Sequence, residues 1–181
     1  MKGMVFVELL NMAENAVGEE MVDDVLDEYQ TTSKGAFTAV GNYPCSDLMS
    51  LVGGFSEKTG ISGDDLQTMF GSWMFERFSL GYPQFFEGKN DAFTMLESIE
   101  DEVHVEVRKL YPEVELPTFA TERTPDGGFI MSYRSERPLV PFCKGMIEAC
   151  LKHFGQEAQI VVKDFSESAE ARADFIIKSA A

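Results

Sequence analysis

The residue with the clearest capacity for metal chemistry is His104, one of two histidines in the chain. It lies in the segment Leu96–Tyr111, in which apolar residues recur at helical spacing. A helical wheel places His104 on the shoulder of this apolar stripe, beside Val107 and Tyr111, so that its ring can face a cavity. A neutral imidazole is a good ligand for iron. The alternative is a histidine that is simply buried at the edge of the core. The predicted stripe consists of Leu96, Ile99, Val103, Val107 and Leu110.

A second group with chemical potential consists of Tyr133, Ser135 and Arg137. Their spacing of two predicts that all three side chains lie on one face of a strand, with Glu136 on the other face. All three donate hydrogen bonds, and an arginine can hold one carboxylate through two parallel bonds. In a chain with 31 acidic and 15 basic residues, such a group favours an anion site. The alternative is an exposed strand with an incidental arginine.

Several helices are predicted to surround these residues. Apolar residues at helical spacing indicate two helices within the first 30 residues, and Gly18 separates them. Ser46 and Ser62 are predicted N-caps of the next two helices. The remaining predicted helices cover Asp47–Thr59, Gly63 to about Leu80, a segment that begins near Asp91, and residues 141–154.

Strands follow the helices along the chain, which predicts an α+β fold. The length of 181 residues fits one domain spanning residues 1–181. We expect a turn at Thr124-Pro125-Asp126-Gly127 to join the first two strands. The predicted strands are Thr118–Arg123, Gly128–Arg134, Gln159–Val162 and Phe175–Ile177.

The composition limits the classes of partner. A net charge of −16 repels phosphate backbones and anionic lipid headgroups, so we expect neither nucleic acid nor a membrane as partner. No apolar run approaches the roughly 20 residues that a membrane span requires. The 15 phenylalanines and 10 methionines can line an apolar cavity for a large flat ligand, or they can form an ordinary core.

The cysteines and the second histidine indicate no further site. Cys45, Cys143 and Cys150 form no C-x-x-C pair, and the N-terminus has no secretory apolar region. These features predict a reducing compartment and a cytoplasmic location. His153 lies at the predicted end of a helix, just before Gly155, where a partly cationic imidazole suits the helix dipole.

Three stretches together resemble the H-NOX domains, the haem-nitric oxide/oxygen-binding domains related to the haem domain of soluble guanylate cyclase. These stretches are Met1-Lys2-Gly3, the block Asp101–Tyr111 around His104, and Tyr133-x-Ser135-x-Arg137, which begins 29 residues after the histidine. The resemblance runs from Met1 almost to the C-terminus. It implies a helical N-terminal part packed on a C-terminal, mostly antiparallel sheet with helices, and haem b (iron protoporphyrin IX) buried between them.

The resemblance also implies roles for individual residues. His104 matches the proximal ligand of the haem iron. Tyr133, Ser135 and Arg137 match the residues that hold the haem propionates. Pro117, within Glu115-Leu-Pro117, matches the proline that presses on the porphyrin and distorts it from planarity.

The residues that match the distal pocket predict the gas. Oxygen-binding members of the family place a tyrosine where this chain has Phe142, and oxygen depends on a hydrogen-bond donor far more than nitric oxide or carbon monoxide does. We therefore expect nitric oxide and carbon monoxide to bind, with no stable oxygen complex. Tyr43 or Trp73 could instead swing in as a donor, and Met74 could ligate the iron. The matching distal residues are Val5, Leu9, Met74, Phe142 and Met146, and none is a strong donor.

The resemblance implies a monomeric sensor without catalytic activity, which signals to a separate histidine kinase or cyclic-diguanylate enzyme. Nitric oxide weakens the bond trans to itself, so release of His104 would let the haem relax against Pro117 and move the histidine helix. Some family members hold zinc near the C-terminus. Cys143 fits one such position, but residues 163–174 contain neither Cys nor His, so we expect no zinc site.

Two other classes of function compete with this interpretation. The main alternative is a cofactor-free binding module whose Phe- and Met-rich cavity holds a lipid-like small molecule. Such a protein is colourless, whereas a haem protein has a Soret band. An enzyme has little support, because His104 and Ser135 or Cys143 come with no nucleophile elbow and no third orienting group.

Overall fold

The computed structural model describes residues 1–167 and 169–179. The chain forms two compact units, Met1–Phe70 and Gly71–Ala181. Helices precede strands along the chain, as the sequence predicts. The described residues form seven α-helices and a four-stranded antiparallel sheet, which confirms the α+β fold class.

The first unit is helical. Its helices are α1 (Gly3–Val17), α2 (Glu19–Glu28), α3 (Cys45–Thr59) and the first part of α4 (Gly63–Gly81). Gly18 separates α1 from α2 with a φ of +85°, a conformation that glycine adopts without steric cost. Apolar residues from each helix form the core of this unit: Phe6, Leu9, Met12, Ala13, Val22, Val25, Leu48, Leu51, Val52, Phe55, Leu66 and Phe70.

Of the two predicted N-caps, one is confirmed and one is wrong. The Asp65 backbone N–H donates to Ser62 Oγ at 3.1 Å, so Ser62 caps α4 as expected. Ser46 instead lies inside α3, which begins at Cys45. Pro44 occupies the N-cap position and makes no side-chain cap bond. The Asp47 backbone N–H donates to the Pro44 carbonyl at 3.2 Å, so the first turn already includes Ser46.

The segment around His104 is not the continuous helix that the apolar spacing predicts. It consists of α5 (Ala92–Glu97), a π-helical turn (Ile99–Val103) and α6 (His104–Leu110). Asp91 begins it by accepting the Thr94 backbone N–H at 2.9 Å. The predicted stripe does not extend to Leu110, which is 66% exposed. The π-helical turn adds a residue to one turn, and therefore rotates later residues away from the expected face.

The second unit also contains a 3₁₀ turn (Pro83–Phe85), α7 (Val140–His153) and the sheet. The strands are β1 (Thr118–Arg123), β2 (Phe129–Ser135), β3 (Ala158–Asp164) and β4 (Ala171–Ser179), in the order β1-β2-β4-β3. Alternate residues of β2 and β4 are buried with α7 in one core, as period-two strands require. The fully buried members include Phe129, Met131, Ile147, Cys150, Phe175 and Ile177.

The length and apolar character of a helix determine whether it can cross a membrane. Across residues 1–167 and 169–179, no helix combines the length and apolar character that a bilayer crossing requires. The longest helix, α4, carries Asp64, Asp65, Glu76 and Arg77.

Candidate functional site

His104 is the first residue of α6 and is 7% exposed. Its Nδ1 lies 3.2 Å from Glu100 Oε1, and its ring centroid lies 5.7 Å from that of Phe119. Nε2 makes no hydrogen bond with any group in the described part of the chain. Burial lowers the pKa of His104 below its ordinary value, although Glu100 acts in the opposite direction. Burial therefore favours the neutral form of the ring, and a neutral imidazole is the form that ligates a metal.

Glu100 is a site residue that the sequence reasoning missed. It lies in the π-helical turn, four residues before His104. Its Oε1 also accepts the backbone N–H of Phe119 at 2.8 Å, and its Oε2 lies 3.7 Å from Arg108 Nη2. An acid four residues before a histidine in a helical segment was the available signal, because residues at that spacing are neighbours on a helix surface.

The Tyr133, Ser135 and Arg137 group differs from expectation in one respect. The strand β2 ends at Ser135, so Arg137 lies in the bend that follows and does not share a strand face with the other two. The bend nevertheless keeps the group together. The Arg137 backbone N–H donates to Ser135 Oγ at 3.1 Å, and the Tyr133 hydroxyl donates to the Arg137 carbonyl at 3.4 Å.

The Arg137 guanidinium is positioned to bind carboxylate. Its Nη2 donates to Glu115 Oε2 at 2.7 Å and its Nη1 donates to the Glu115 carbonyl at 2.8 Å. The Arg137 side chain is 17% exposed, whereas that of Glu115 is 75% exposed. A cavity of about 450 Å³ opens here, with Ser135 and Arg137 in its lining. An incoming carboxylate can therefore replace the exposed Glu115 on a guanidinium that is already held in place.

Ring contacts connect His104 with the Tyr133 group. The Phe119 ring contacts both the His104 ring and the Tyr133 ring, each at a centroid distance of 5.7 Å. Phe119 and Tyr133 are also paired across β1 and β2. Pro117 is half-buried and directly precedes β1. The structure thus brings the predicted iron ligand, the predicted propionate residues and Pro117 to one end of the sheet.

Three of the five predicted distal residues belong to a crossing of two helices in the second unit. The helices α4 and α7 meet at Gly71, where a Cβ would lie 2.0 Å from the Phe142 carbonyl oxygen and 2.9 Å from the Met146 backbone nitrogen. Ser72 Oγ donates to the Gly145 carbonyl at 3.1 Å in the same crossing. Met74 lies three residues beyond Gly71 on α4. Met74, Phe142 and Met146 are each half-buried.

The other two predicted distal residues lie on α1 in the first unit, where Leu9 is buried and Val5 is half-buried. Tyr43, one of the two candidate donors, is also in this unit. Its ring packs against Phe6 and Phe37, and its hydroxyl accepts the Thr38 backbone N–H at 2.9 Å. These contacts hold the Tyr43 side chain within the first unit. Any movement of the side chain away from this position would break them and would therefore cost free energy.

Trp73, the other candidate donor, has the Arg77 guanidinium 4.7 Å from its ring centroid, one turn along α4. This distance is that of a cation–π interaction. His153, at the end of α7, is exposed and has ring contacts with Phe75, Phe86 and Phe154. It therefore packs on a cluster of phenylalanines at the helix end, where the sequence analysis placed it.

Two of the cysteine thiols, Cys143 and Cys150, are buried and poorly suited to chemistry. Burial raises the pKa of Cys143 far above its ordinary value and raises that of Cys150 to about 12. None of Cys45, Cys143 and Cys150 takes part in a disulfide. Among the residues that the structure describes, no three His, Cys, Asp or Glu side chains are grouped as a metal site.

The donor set fits haem. One neutral imidazole offers an unengaged Nε2, and one guanidinium already holds a carboxylate, which is the group that a haem propionate presents. The Phe119 ring contacts His104 and the Tyr133 ring, which belongs to the group around Arg137. The chemistry of these residues fits a haem, which needs a nitrogen ligand for its iron and a cation for its propionates.

Comparison with known proteins points in the same direction. The family model described as Haem-NO-binding matches residues 2–162. The fold is similar to the Fe(II) unliganded H-NOX protein from K. algicida, with 34% sequence identity, a TM-score of 0.92, and coverage of 100% of this chain and 97% of that chain. A comparison with curated protein sequences gave no match.

Two further similar structures are of H-NOX proteins with a gas ligand. The H-NOX from Shewanella woodyi, in an Fe(II)CO ligation state and bound to IWP-051, is 33% identical, with a TM-score of 0.82 and coverage of 99% of this chain and 95% of that chain. An H-NOX protein from S. oneidensis in the Fe(II)NO state is 23% identical, with a TM-score of 0.87 and full coverage of both chains, and this likeness concerns the fold alone.

Proposed function

Because the chain belongs to the H-NOX family of haem-binding, gas-sensing domains, we propose that it senses nitric oxide through haem b ligated by His104. We further propose that it also binds carbon monoxide, excludes oxygen, and acts on a separate partner without catalytic activity of its own. Ferrous haem supplies an electron-rich iron that binds these small gases. Binding of the haem, selection of the gas and the start of the signal are proposed to depend on the residues described below.

The observation that carries the proposal is the state of the His104 imidazole. It is buried, its pKa is lowered, and its Nδ1 is engaged while its Nε2 is not. Nε2 is the ring nitrogen that no described residue engages, and this leaves it available to an external ligand. We therefore propose that His104 binds the haem iron through Nε2.

The propionate anchor follows from Arg137 and its neighbours. Arg137 would exchange Glu115 for a propionate, which offers the same carboxylate chemistry at the same guanidinium. Ser135 holds the Arg137 backbone N–H and thereby fixes the bend that orients the guanidinium. The Tyr133 hydroxyl donates to the Arg137 carbonyl and so connects Tyr133 with the same bend. Pro117, directly before β1, would press on the porphyrin.

Exclusion of oxygen rests on the residues assigned to the distal pocket. Phe142, Met74, Met146, Val5 and Leu9 have no strong hydrogen-bond donor. Oxygen would need such a donor to be held at a haem, whereas nitric oxide and carbon monoxide would not. The lack of a donor at each of these positions is the reason why we propose that nitric oxide and carbon monoxide bind in preference to oxygen.

For the signal, we propose that nitric oxide loosens the hold of His104 and thereby frees α6 to move relative to Pro117 and β1. Such a movement gives two states whose balance the gas shifts. The proposed partner is a histidine kinase or a cyclic-diguanylate enzyme, and the sensor is proposed to be monomeric and cytoplasmic. These assignments extend the family resemblance to this chain.

Absorption spectroscopy of the reduced haem-loaded protein tests the gas selectivity. We expect the Soret band to shift under carbon monoxide and under nitric oxide, and to show no persistent oxygen-dependent shift during brief exposure to air. The carbon monoxide sample is the control, because it demonstrates an open binding position in the same preparation. A stable oxygenated spectrum in air would contradict the assignment of the distal residues.

A further inference from the structure

The Glu100 carboxylate joins three elements of the second unit. It lies in the π-helical turn and contacts His104 Nδ1 at the start of α6 at 3.2 Å. It also accepts the Phe119 backbone N–H of β1 at 2.8 Å. Arg108 Nη2, one turn after His104, lies 3.7 Å away. The Glu100 side chain is 28% exposed, so this contact is partly shielded from water.

The acceptor chemistry of a carboxylate fixes the tautomer of the imidazole. An ionised carboxylate can only accept hydrogen bonds, so the proton of a neutral His104 must reside on Nδ1. The Nε2 lone pair is then directed away from Glu100. The Phe119 N–H and the Arg108 guanidinium both stabilise the negative charge of Glu100, and their contacts hold its side chain in place.

A histidine that donates to a carboxylate is a stronger metal ligand than one that donates to a neutral group. The negative charge polarises the N–H bond and increases the electron density on the opposite ring nitrogen. Loss of such an outer partner commonly costs about 10- to 100-fold in metal affinity. The contact between Glu100 and His104 is therefore placed to adjust the strength of the bond that His104 forms.

We propose that Glu100 is a positioning residue that holds His104 as its Nδ1–H tautomer, directs Nε2 toward the iron and strengthens the iron–His104 bond. The inference rests on the proposed function for the identity of the metal. The effect of Glu100 on the tautomer of His104 requires no haem, because both residues belong to the protein. Because Glu100 also binds the Phe119 N–H, it connects the histidine to β1, so a displacement of His104 is transmitted to the strand that follows Pro117.

Three variants separate this role from a purely structural one. Glu100→Gln keeps the shape and the acceptor oxygen but removes the charge, whereas Glu100→Ala removes both. Glu106→Gln is the matched control, because Glu106 lies on α6 two residues after His104 and pairs with Lys109 at 2.6 Å. All three are compared with the full-length wild type by circular dichroism to confirm that each is folded.

The first readout uses the protein without haem. The nitrogen-15 chemical shifts of the His104 ring report its tautomer directly. We expect the Nδ1–H form in the wild type, in Glu100→Gln and in Glu106→Gln, and a mixture of tautomers in Glu100→Ala. An unchanged tautomer in folded Glu100→Ala would overturn the proposed hold on the ring.

The second readout uses the ferrous haem-loaded protein. We expect resonance Raman spectra to show a lower iron–histidine stretching frequency in Glu100→Gln and an unchanged frequency in Glu106→Gln. The midpoint potential of Glu100→Gln should rise, because a weaker donor stabilises ferric iron less. We expect haem affinity to fall about 10- to 100-fold in Glu100→Ala. Equal frequencies in Glu100→Gln and the wild type would overturn the proposed strengthening of the bond.

The two readouts also distinguish this inference from the proposed function. A wild type that shows the Nδ1–H tautomer but takes up no haem would overturn the proposed function and would still support the hold of Glu100 on His104. A wild type that binds haem through His104, with spectra insensitive to Glu100, would support the function and overturn the inference.

Discussion

Substitution of His104 by alanine is expected to reduce haem affinity by more than about 100-fold, because removal of a ligand costs more than removal of its outer partner. His104 is the buried imidazole whose Nε2 makes no hydrogen bond with the described residues. Purified His104→Ala protein should therefore lack most of its Soret absorbance. Titration of each apoprotein with haem, followed at the Soret band, gives the ratio of affinities.

The second histidine provides a matched control for this experiment. His153 is exposed at the end of α7, and its ring contacts Phe75, Phe86 and Phe154. We expect His153→Ala to bind haem with wild-type affinity. Addition of free imidazole should restore part of the ferrous spectrum to His104→Ala, because the ligand can enter the space that the side chain leaves. Equal Soret absorbance in the His104→Ala and wild-type proteins would contradict the assignment of the ligand.

Substitution of Phe142 by tyrosine is expected to create a stable oxygen complex. Phe142 lies on α7 at the crossing with α4, where Gly71 brings the two backbones together. A tyrosine hydroxyl in the distal pocket would donate a hydrogen bond to oxygen that carries partial negative charge. Hydrogen bonds to charged groups contribute about 1.5–3 kcal/mol, which corresponds to an increase of about 10- to 100-fold in oxygen affinity.

The measurement is an oxygen titration of the reduced Phe142→Tyr protein, followed in the Soret region. Phe154→Tyr is the control, because Phe154 follows α7 and packs against His153 rather than at the α4 crossing. Carbon monoxide affinity should change far less than oxygen affinity in Phe142→Tyr, since carbon monoxide gains little from a donor. An oxygen affinity that rises equally in both variants would place Phe142 outside the distal pocket.

Local periodicity and turn chemistry predicted most of the helices and strands. The break at Gly18 follows from a glycine with positive φ, and Ser62 caps α4 through a hydrogen bond within its own helix. The α+β class also follows from the order of the elements. These features depend on residues close together in the chain, which is the range over which sequence reasoning works best.

Features that depend on longer-range contacts were not predictable in the same way. The π-helical turn interrupts a stretch whose apolar spacing favours a regular helix, and the Glu100 contact with the Phe119 N–H ties that turn to a strand 19 residues later. The spacing of two between Ser135 and Arg137 predicted that Arg137 lies on the same strand. The strand ends at Ser135, and the bend brings the Arg137 guanidinium onto Glu115.

The assignment of roles within the site came from the motif and not from periodicity. No spacing rule connects His104 with Tyr133, since 29 residues and one strand separate them. In the structure the Phe119 ring contacts both of their rings, so the two residues are connected through β1. The distal assignments of Val5, Leu9, Met74, Phe142 and Met146 remain predictions that the gas measurements test.

Stoichiometric titration of the wild-type apoprotein with haem tests whether this chain carries haem through His104. We expect saturation at one haem per chain, with a ferrous spectrum typical of a single histidine ligand and an iron–histidine stretching band in the resonance Raman spectrum. A colourless protein that takes up no haem, or one that binds haem in non-integral amounts with no such band, would contradict this expectation.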